Sequence, residues 1–160
     1  MIERRTEELA RAVKGQTKRV CFIFGALGRQ GNTGILDRLI KKIEGIFEYM
    51  ILIASEVNVE LLTSVDVDFF VQIACPRLSI DWSYGTPKPL LTPYELYALV
   101  DKYDFKNGYS MDYYSYNGGP WSNFFGKAPQ KKQKVIKNEP KIRLELETKK
   151  ECSSACECKK

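Results

Sequence analysis

The sequence predicts an α/β fold: a parallel-sheet βαβ domain with flanking helices, followed by a disordered C-terminal tail. Apolar runs of strand length alternate with amphipathic helical patterns, and a glycine-rich loop joins the first run to the first long helix. Strands separated by helices pair in parallel through right-handed crossovers. From residue 126 the composition turns lysine-rich with few apolar residues, which cannot offset the entropy of ordering. We therefore place the domain at residues 1–125 and the tail at 126–160.

The first predicted elements are a helix, a strand and a second helix. Apolar residues at helical spacing within Glu7–Lys14 predict a short amphipathic helix. Lys18–Leu27 is apolar without alternation, which is typical of a strand buried on both faces, so we expect it at the centre of the sheet. The next helix is predicted by apolar residues at Ile35, Leu36, Leu39, Ile40, Ile43 and Phe47.

The remaining predicted elements complete the alternation. Tyr49–Ala54 predicts a second strand, Val59–Ser64 a short helical turn, and Val67–Ala74 a third strand. The run Thr92-Pro93-Tyr94-Glu95 is typical of a helix start, because threonine caps the first turn, proline needs no amide partner there, and glutamate closes a capping box. The helix should continue through Leu96–Val100.

The segment Tyr103–Phe125 has no usable periodicity and holds nine aromatic residues among glycine, asparagine and serine. So many aromatic side chains cannot all be buried in so small a domain. Exposed aromatic patches usually mark interfaces. We therefore expect this segment to pack against another domain or subunit, and the isolated chain to self-associate.

Composition excludes several classes of function. The chain has no histidine, which removes Ser-His and Cys-His catalysis and every metal site that contains histidine. Residues 126–160 hold 11 of the 25 Lys and Arg and 5 of the 20 Asp and Glu. The body therefore has 14 basic and 15 acidic residues, so a nucleic-acid-binding face is not expected. No run reaches the ~20 apolar residues of a membrane span, and no export signal is recognisable. We predict a cytoplasmic protein with reduced thiols.

The loop Gly25-Ala26-Leu27-Gly28-Arg29-Gln30-Gly31 follows a predicted strand and precedes a helix. Free backbone amides and the helix dipole at such a place favour a carboxylate or phosphate. The spacing matches neither the dinucleotide fingerprint nor the P-loop. A tight turn without a ligand is the alternative, although Arg29 and Gln30 offer more donors than a turn needs.

Cys75 follows the third predicted strand and precedes Pro76, at the edge of a parallel sheet where ligands usually bind. A Cys-Pro pair recurs in iron–sulfur ligation, but one such pair also fits a buried structural thiol. Cys21, within the first strand, is predicted to be such a buried thiol.

Three more cysteines lie near the end of the chain, in a C-x3-C-x-C group formed by Cys152, Cys156 and Cys158. Three thiolates so close in sequence could share a soft metal. A structural zinc site normally has four protein ligands, so a reactive or merely solvated tail is the other interpretation.

Three longer blocks carry a resemblance to a known family. They are Phe24–Asn32, Val71–Trp82 and Pro87–Glu95, and Met111–Tyr114 with Gly119–Trp121 resembles the segment that follows them there. In this order the blocks resemble the C-terminal domain of the family of diphthamide synthase subunit 1. The resemblance covers most of the body and excludes the tail.

The resemblance implies an enzyme for the first step of diphthamide biosynthesis. Such an enzyme transfers the 3-amino-3-carboxypropyl group of S-adenosylmethionine, by a radical mechanism, to a histidine of elongation factor 2. The family has three similar α/β domains, each donating one cysteine to a 4Fe-4S cluster, and Cys75 corresponds to the third. Partners would be a second synthase subunit, elongation factor 2 and an electron donor protein. We assign Gly28, Arg29, Gln30, Gly31 and Arg77 to cofactor binding.

The sequence departs from the family in one large respect, since the two domains expected before this one, with their cysteines, are absent from it. We therefore expect the chain alone to be inactive. The alternative is a non-catalytic interaction or metal–thiolate module. Two other resemblances fit less well. Quinolinate synthase has a similar three-domain plan but lacks the block Cys75–Trp82. The second subunit of the diphthamide synthase is less similar to this chain over that block than the first subunit is.

Overall fold

The computed structural model describes residues 1–15, 18–26, 31–103, 105 and 108–127. Helices and strands alternate through most of this part of the chain, as predicted. In chain order they are α1 (Ile2–Val13), β1 (Arg19–Gly25), α2 (Thr33–Ile43), β2 (Glu48–Ala54), α3 (Val59–Ser64), β3 (Phe69–Ile73), α4 (Pro76–Trp82), β4 (Leu90–Leu91) and α5 (Pro93–Asp101).

The four strands form one sheet in the order β2-β1-β3-β4, and every pair is parallel. The predicted fold class is therefore confirmed. β1 lies inside the sheet, between β2 and β3, as its continuous apolar sequence indicates. The short β4 pairs with Phe70 and Val71 of β3, so β3 is also an interior strand.

The sheet is buried on both faces over β1 and β3. On β1, Val20 and Phe22 contact a core formed with α1, α2 and α5, while Cys21 and Ile23 contact a smaller core on the opposite face with α3. All four side chains have 0% exposure. Because successive side chains of a strand alternate between faces, a strand covered on both sides is apolar at successive positions, which explains the missing alternation in β1.

Some elements differ from the sequence-based predictions. α1 begins at Ile2, ahead of the predicted Glu7, because the buried charge of Arg5 breaks the apolar pattern at its start. β3 is shorter at both ends than the predicted Val67–Ala74. α4 and β4 were not predicted, and β4 has only two residues and is defined by its pairing with β3.

A buried ion pair connects the first helix to the last. Arg5 donates from Nε and Nη2 to the two carboxylate oxygens of Glu95, both at 2.5 Å, and Tyr109 donates its hydroxyl to the same carboxylate at 2.8 Å. Arg5 also donates to the Leu90 carbonyl at 2.8 Å and to the Ser83 hydroxyl at 2.9 Å. Burial alone would lower the pKa of Arg5, but the hydrogen bond and charge of Glu95 outweigh it, and the pKa is raised.

The start of α5 confirms the predicted capping box. Thr92 accepts a hydrogen bond from the Glu95 amide at 3.2 Å, and the Glu95 carboxylate accepts one from the Thr92 amide at 2.7 Å. Glu95 is fully buried, so one carboxylate both caps the helix and pairs with Arg5. Pro93 occupies the first turn, as its missing amide donor allows.

The aromatic segment divides between the core and the surface. Phe105 and Tyr113 are 2% exposed, and the Trp121 ring lies 4.8 Å from that of Tyr94. Four other aromatic side chains of the segment are between 43% and 56% exposed: Tyr103, Tyr114, Tyr116 and Phe125. Incomplete burial agrees with the expectation from the sequence. The expected partner for these side chains stays a prediction.

Residues 128–160 lie outside the described residues, so the proposed boundary at residue 125 and the disordered tail also stay predictions. Among the helices of the described part, none combines the length and the apolar character that a membrane crossing requires.

The ion pair predicts a large and selective loss of stability on changing one carboxylate. Glu95→Gln keeps the shape and a capping acceptor but leaves the Arg5 charge buried without its partner. We expect the free energy of unfolding, measured by urea denaturation, to fall by about 3–5 kcal/mol. Asp81→Asn, which breaks the exposed Arg77–Asp81 pair, is the matched control and should cost less than about 1 kcal/mol. Equal losses in the two variants would contradict the central role of the buried pair.

Candidate functional site

A cleft of about 450 Å³ lies at the carboxyl edge of the sheet. β1 ends at Gly25, β2 at Ala54 and β3 at Ile73, and parallel strands bring these ends to the same edge. The cleft is lined by Gly25, Ala54, Ser55, Glu56, Val57, Asn58, Gln72, Ala74, Leu78 and Trp82. It therefore occupies the place where open α/β sheets usually bind ligands.

Cys75 lies between β3 and α4, directly after the cleft residue Ala74, and is itself not among the residues that line the cleft. It is the N-cap residue of α4, its carbonyl accepts a hydrogen bond from the Leu78 amide at 2.9 Å, and Pro76 begins the helix. Proline fits this position because the first helical residue needs no amide partner. The Cys75 side chain is half-buried. The turn thus holds a cysteine at the predicted edge of the sheet, partly open to solvent.

Most of the polar lining of the cleft comes from β3 and from the loop after β2. Gln72 accepts a hydrogen bond at 2.9 Å from the hydroxyl of Ser79 on α4, which is fully buried, so this contact fixes the amide. Asn58 accepts from the Leu61 amide at 2.7 Å and caps α3. Glu56 is exposed and supplies the carboxylate of the lining.

Tyr113 and Tyr114 lie close enough to Cys75 for a charge on its sulfur to affect their pKa. Sequence reasoning did not assign these two tyrosines to the site. Burial is the main cause that raises the pKa of both Tyr113 and Tyr114, and a thiolate at Cys75 raises each of them further. Tyr113 is buried and Tyr114 is half exposed. The aromatic richness of the segment was visible in the sequence. Its position near Cys75 was not, because the segment has no periodicity.

Only one residue of the predicted glycine loop site can be described. Gly28, Arg29 and Gln30 lie outside the described residues, and Gly31 lies against the end of β1. A Cβ added at Gly31 would come within 2.6 Å of the Gly25 carbonyl oxygen, so the close approach requires glycine. This contact is what the tight-turn interpretation expects, while anion binding by the loop stays a prediction.

Arg77, the remaining residue assigned to cofactor binding, lies on α4 and outside the cleft lining. Its side chain on α4 is 79% exposed and pairs with Asp81 at 3.3 Å, with the two residues one helical turn apart. Arg77 is not among the residues that line the cleft. Its assignment to cofactor binding stays a prediction that the cleft geometry does not support.

The other cysteines are Cys21 in β1 and the three near the end of the chain. Cys21 is fully buried in β1, and burial raises the pKa of its thiol to about 11, which confirms the prediction of a structural thiol. The tail group of Cys152, Cys156 and Cys158 lies outside the described residues. Within the described residues, no cluster of three or more cysteine, aspartate or glutamate side chains could hold a metal ion.

These features define a class of protein: a parallel α/β domain with a ligand cleft and a half-buried cysteine at the carboxyl edge of its sheet. Residues 1–110 match the model of the diphthamide synthesis protein family. The chain therefore belongs to the diphthamide synthesis protein family.

The chain is similar to proteins named 2-(3-amino-3-carboxypropyl)histidine synthase subunit 1. The relative from Yarrowia lipolytica is 46% identical over 121 residues, covering 74% of this chain and 27% of the relative. The relative from Mus musculus is 39% identical over 125 residues, covering 76% and 28%. The chain thus spans about a quarter of the length of the curated relatives that it matches.

A solved structure has the same fold over part of its length. The crystal structure of Dph2 from Pyrococcus horikoshii with a 4Fe-4S cluster superposes with a TM-score of 0.56 at 26% identity. The match covers 64% of this chain and 29% of that chain. The similarity therefore covers only part of each of the two chains.

The different environments of Cys21 and Cys75 predict different rates of alkylation. In a variant with serine at Cys152, Cys156 and Cys158, iodoacetamide at about pH 8 should modify Cys75 and leave Cys21 unmodified, as measured by peptide mass spectrometry. A pKa raised to about 11 leaves roughly one Cys21 thiol in a thousand ionised at that pH, and the side chain is also inaccessible. In urea both should react. Equal rates in the native protein would contradict the placement of these two thiols.

Proposed function

We propose that this chain supplies one cysteine ligand, Cys75, to a 4Fe-4S cluster in an assembly that performs the first step of diphthamide biosynthesis. In that step the 3-amino-3-carboxypropyl group of S-adenosylmethionine is transferred to a histidine of elongation factor 2. The observation that carries the proposal is the position of Cys75, half-buried at the carboxyl edge of the sheet in the turn from β3 to α4. Membership of the diphthamide synthesis protein family supports it.

The donor set of the described residues fits one ligand position and no more. A thiolate is the ligand that iron–sulfur clusters take from proteins, and Cys75 is partly accessible. Cys21 is enclosed in the sheet and cannot reach the same site without disrupting β1. The further ligands would come from elsewhere in the assembly, so we expect the chain alone to be inactive.

The residues around Cys75 would fix the geometry of the site. Pro76 and the α4 N-terminus hold the cysteine backbone in place, and Ser79 fixes the Gln72 amide in the lining of the cleft. Tyr113 and Tyr114 would shield the thiolate from water on the side of the aromatic segment. When bound, the cluster supplies the electron that breaks the carbon–sulfur bond of S-adenosylmethionine.

The same proposal includes the other molecules that the reaction requires. A second synthase subunit would complete a heterodimer in the cytoplasm, and an electron donor protein would reduce the cluster. Elongation factor 2 would present its histidine as the acceptor. The glycine loop, with Gly28, Arg29, Gln30 and Gly31, would hold the carboxylate of the methionine portion, and Arg77 would contact the cofactor.

A second candidate function is a non-catalytic interaction module. One observation favours it: four aromatic side chains of the Tyr103–Phe125 segment are exposed. In that case the chain would bind a partner subunit without contributing to the chemistry. The two functions differ in whether Cys75 is required.

A chimera separates the two candidates. We would replace the matched region of the Yarrowia lipolytica relative with this chain, co-express the second subunit of that organism, and reconstitute iron and sulfide anaerobically. The proposal predicts the broad visible absorbance of a 4Fe-4S cluster and cleavage of S-adenosylmethionine at the aminocarboxypropyl bond. Cys75→Ser in the chimera should abolish both. The chain by itself should hold no stable cluster, because one thiolate does not replace a full ligand set.

Two controls make the result specific to Cys75. Cys21→Ser should lower the stability of the chimera while leaving the cleavage reaction in the folded fraction. Serine at Cys152, Cys156 and Cys158 together should have no effect on the cluster. The site assignment would be wrong if the absorbance and the cleavage survived Cys75→Ser and disappeared in the triple tail variant.

A further inference from the structure

The aromatic segment contains a loop, residues 112–123, whose two ends are hydrogen-bonded to each other. The Asn123 amide donates to the Tyr113 carbonyl at 2.6 Å, and the Trp121 indole nitrogen donates to the Asp112 carboxylate at 2.6 Å. A compact loop with adjoining ends is an Ω-loop, a type that is frequently functional. Because these contacts close the base of the loop, the position of Tyr113 depends on what holds that base.

The side chain of Arg38 on α2 is the first contact that holds the base of the 112–123 loop. Its Nε donates to the Pro120 carbonyl at 2.7 Å, and its Nη2 donates to the Ser122 carbonyl at 3.1 Å. Its guanidinium carbon also lies 5.3 Å from the centre of the Phe125 ring. The two carbonyls belong to no helix or strand, so this charged side chain supplies the donors that fix the path of the backbone there.

Asn32, the N-cap residue of α2, is the second contact between this helix and the loop. Its side-chain oxygen accepts a hydrogen bond from the Gly34 amide at 2.8 Å, which caps the helix. Its side-chain nitrogen donates to the Asn123 carbonyl at 2.9 Å and also contacts the side chain of that residue. One side-chain amide thus has two separate contacts, one within the helix and one with the loop.

The loop brings two tyrosines into the neighbourhood of Cys75. Tyr113 is buried in the same core as Ile73, the last residue of β3, and Cys75 follows two positions later. The Tyr113 and Tyr114 rings pack edge to face with their centroids 5.0 Å apart, and a charge on the Cys75 sulfur affects the pKa of both. Since Tyr114 is half exposed, the pair extends from the core to the surface near Cys75.

We propose that Arg38 and Asn32 are positioning residues for Cys75, because they hold the 112–123 loop where it limits access to the thiol. Both act through the loop. Its release would let the two tyrosines move and would expose the thiol, while the sheet stays intact. The inference concerns access to the thiol and stands independently of the proposed function. In the proposed assembly, the same loop would keep water from the thiolate ligand.

Ser122, at the base of the loop, shows why the contacts from α2 are needed. Its side chain is fully buried, and its hydroxyl has no hydrogen-bond partner among the described residues. A buried hydroxyl without a partner favours any opening that lets water reach it. The donors from Arg38 and Asn32 offset this cost in the closed loop. Without them, the loop should open locally, since a surface loop can open without unfolding of the strands.

The first test measures the rate at which iodoacetamide alkylates Cys75 in the full chain, with serine at the three tail cysteines. Arg38→Met removes two charge-assisted hydrogen bonds, which favour the closed loop by roughly tenfold or more each. Because the half-buried thiol also reacts in the closed state, we expect at least about threefold faster alkylation. Cys21 should stay unmodified, which separates release of the loop from loss of the fold.

Lys42→Met is the matched control for the first test. It changes a cation of the same helix, but the contact that it removes is the ion pair with Asp101 of α5, at 2.6 Å. The rate of Cys75 alkylation should therefore stay at the value of the unaltered chain. An unchanged rate in Arg38→Met, or an equal rise in Lys42→Met, would overturn the proposal.

The second test does not depend on the folding of the Arg38 variant. Asn32→Asp keeps the helix cap, since aspartate caps as well as asparagine, but it replaces the donor to Asn123 with a carboxylate that repels the carbonyl. We expect Cys75 alkylation to be at least about threefold faster, and chymotrypsin to cleave the 112–123 loop faster. The substitution adds a negative charge, which disfavours a thiolate, so charge alone cannot cause the faster alkylation.

Ser122→Ala is the matched control for the second test, because it changes the same loop but removes no hydrogen bond of the side chain. It should increase neither the rate of alkylation nor the rate of cleavage. If Asn32→Asp left both rates at the values of the unaltered chain, or if Ser122→Ala raised them equally, the positioning role would be wrong.

Discussion

The buried pair of Arg5 and Glu95 is the interaction on which the arrangement of the helices depends. A buried guanidinium is costly unless a charged partner and further acceptors surround it, and here one carboxylate, a carbonyl and a hydroxyl do so. Because Glu95 also closes the capping box of α5, the same group that holds α1 in place fixes where α5 begins. Tyr109 joins that carboxylate, so the start of the aromatic segment is attached to the same point.

The site follows from this arrangement and from the sheet beneath it. Burial of β1 on both faces keeps it inside the sheet, and parallel pairing aligns the ends of β1, β2 and β3 at one edge. The turn from β3 into α4 then places Cys75 at this edge, one residue after Ala74 of the cleft lining. The aromatic segment, held at Tyr109 and by the packing of Trp121 on Tyr94, brings two tyrosines close to that cysteine.

Much of the fold could be predicted from the sequence because its strong signals are local. The apolar run of β1, the helical spacing of α2 and the Thr92–Glu95 start of α5 each lie within a few residues and are confirmed. The elements that were missed depend on distant residues: β4 exists through its pairing with β3, and the start of α1 depends on a carboxylate 90 positions away. The same is true of the site, where Cys75 was predicted from its place after a strand, while its tyrosine neighbours come from a segment without periodicity.

The central claim is that this domain contributes Cys75, and no other thiol of its folded body, to the iron–sulfur cluster of a larger assembly. The chain spans about a quarter of the length of the relatives that it matches. The most direct measurement is a crystal structure of the anaerobically reconstituted chimera, with iron located by anomalous scattering. The account predicts iron in bonding contact with Cys75 Sγ at the carboxyl edge of the sheet. Iron held by other residues, with Cys75 Sγ uncoordinated, would contradict it.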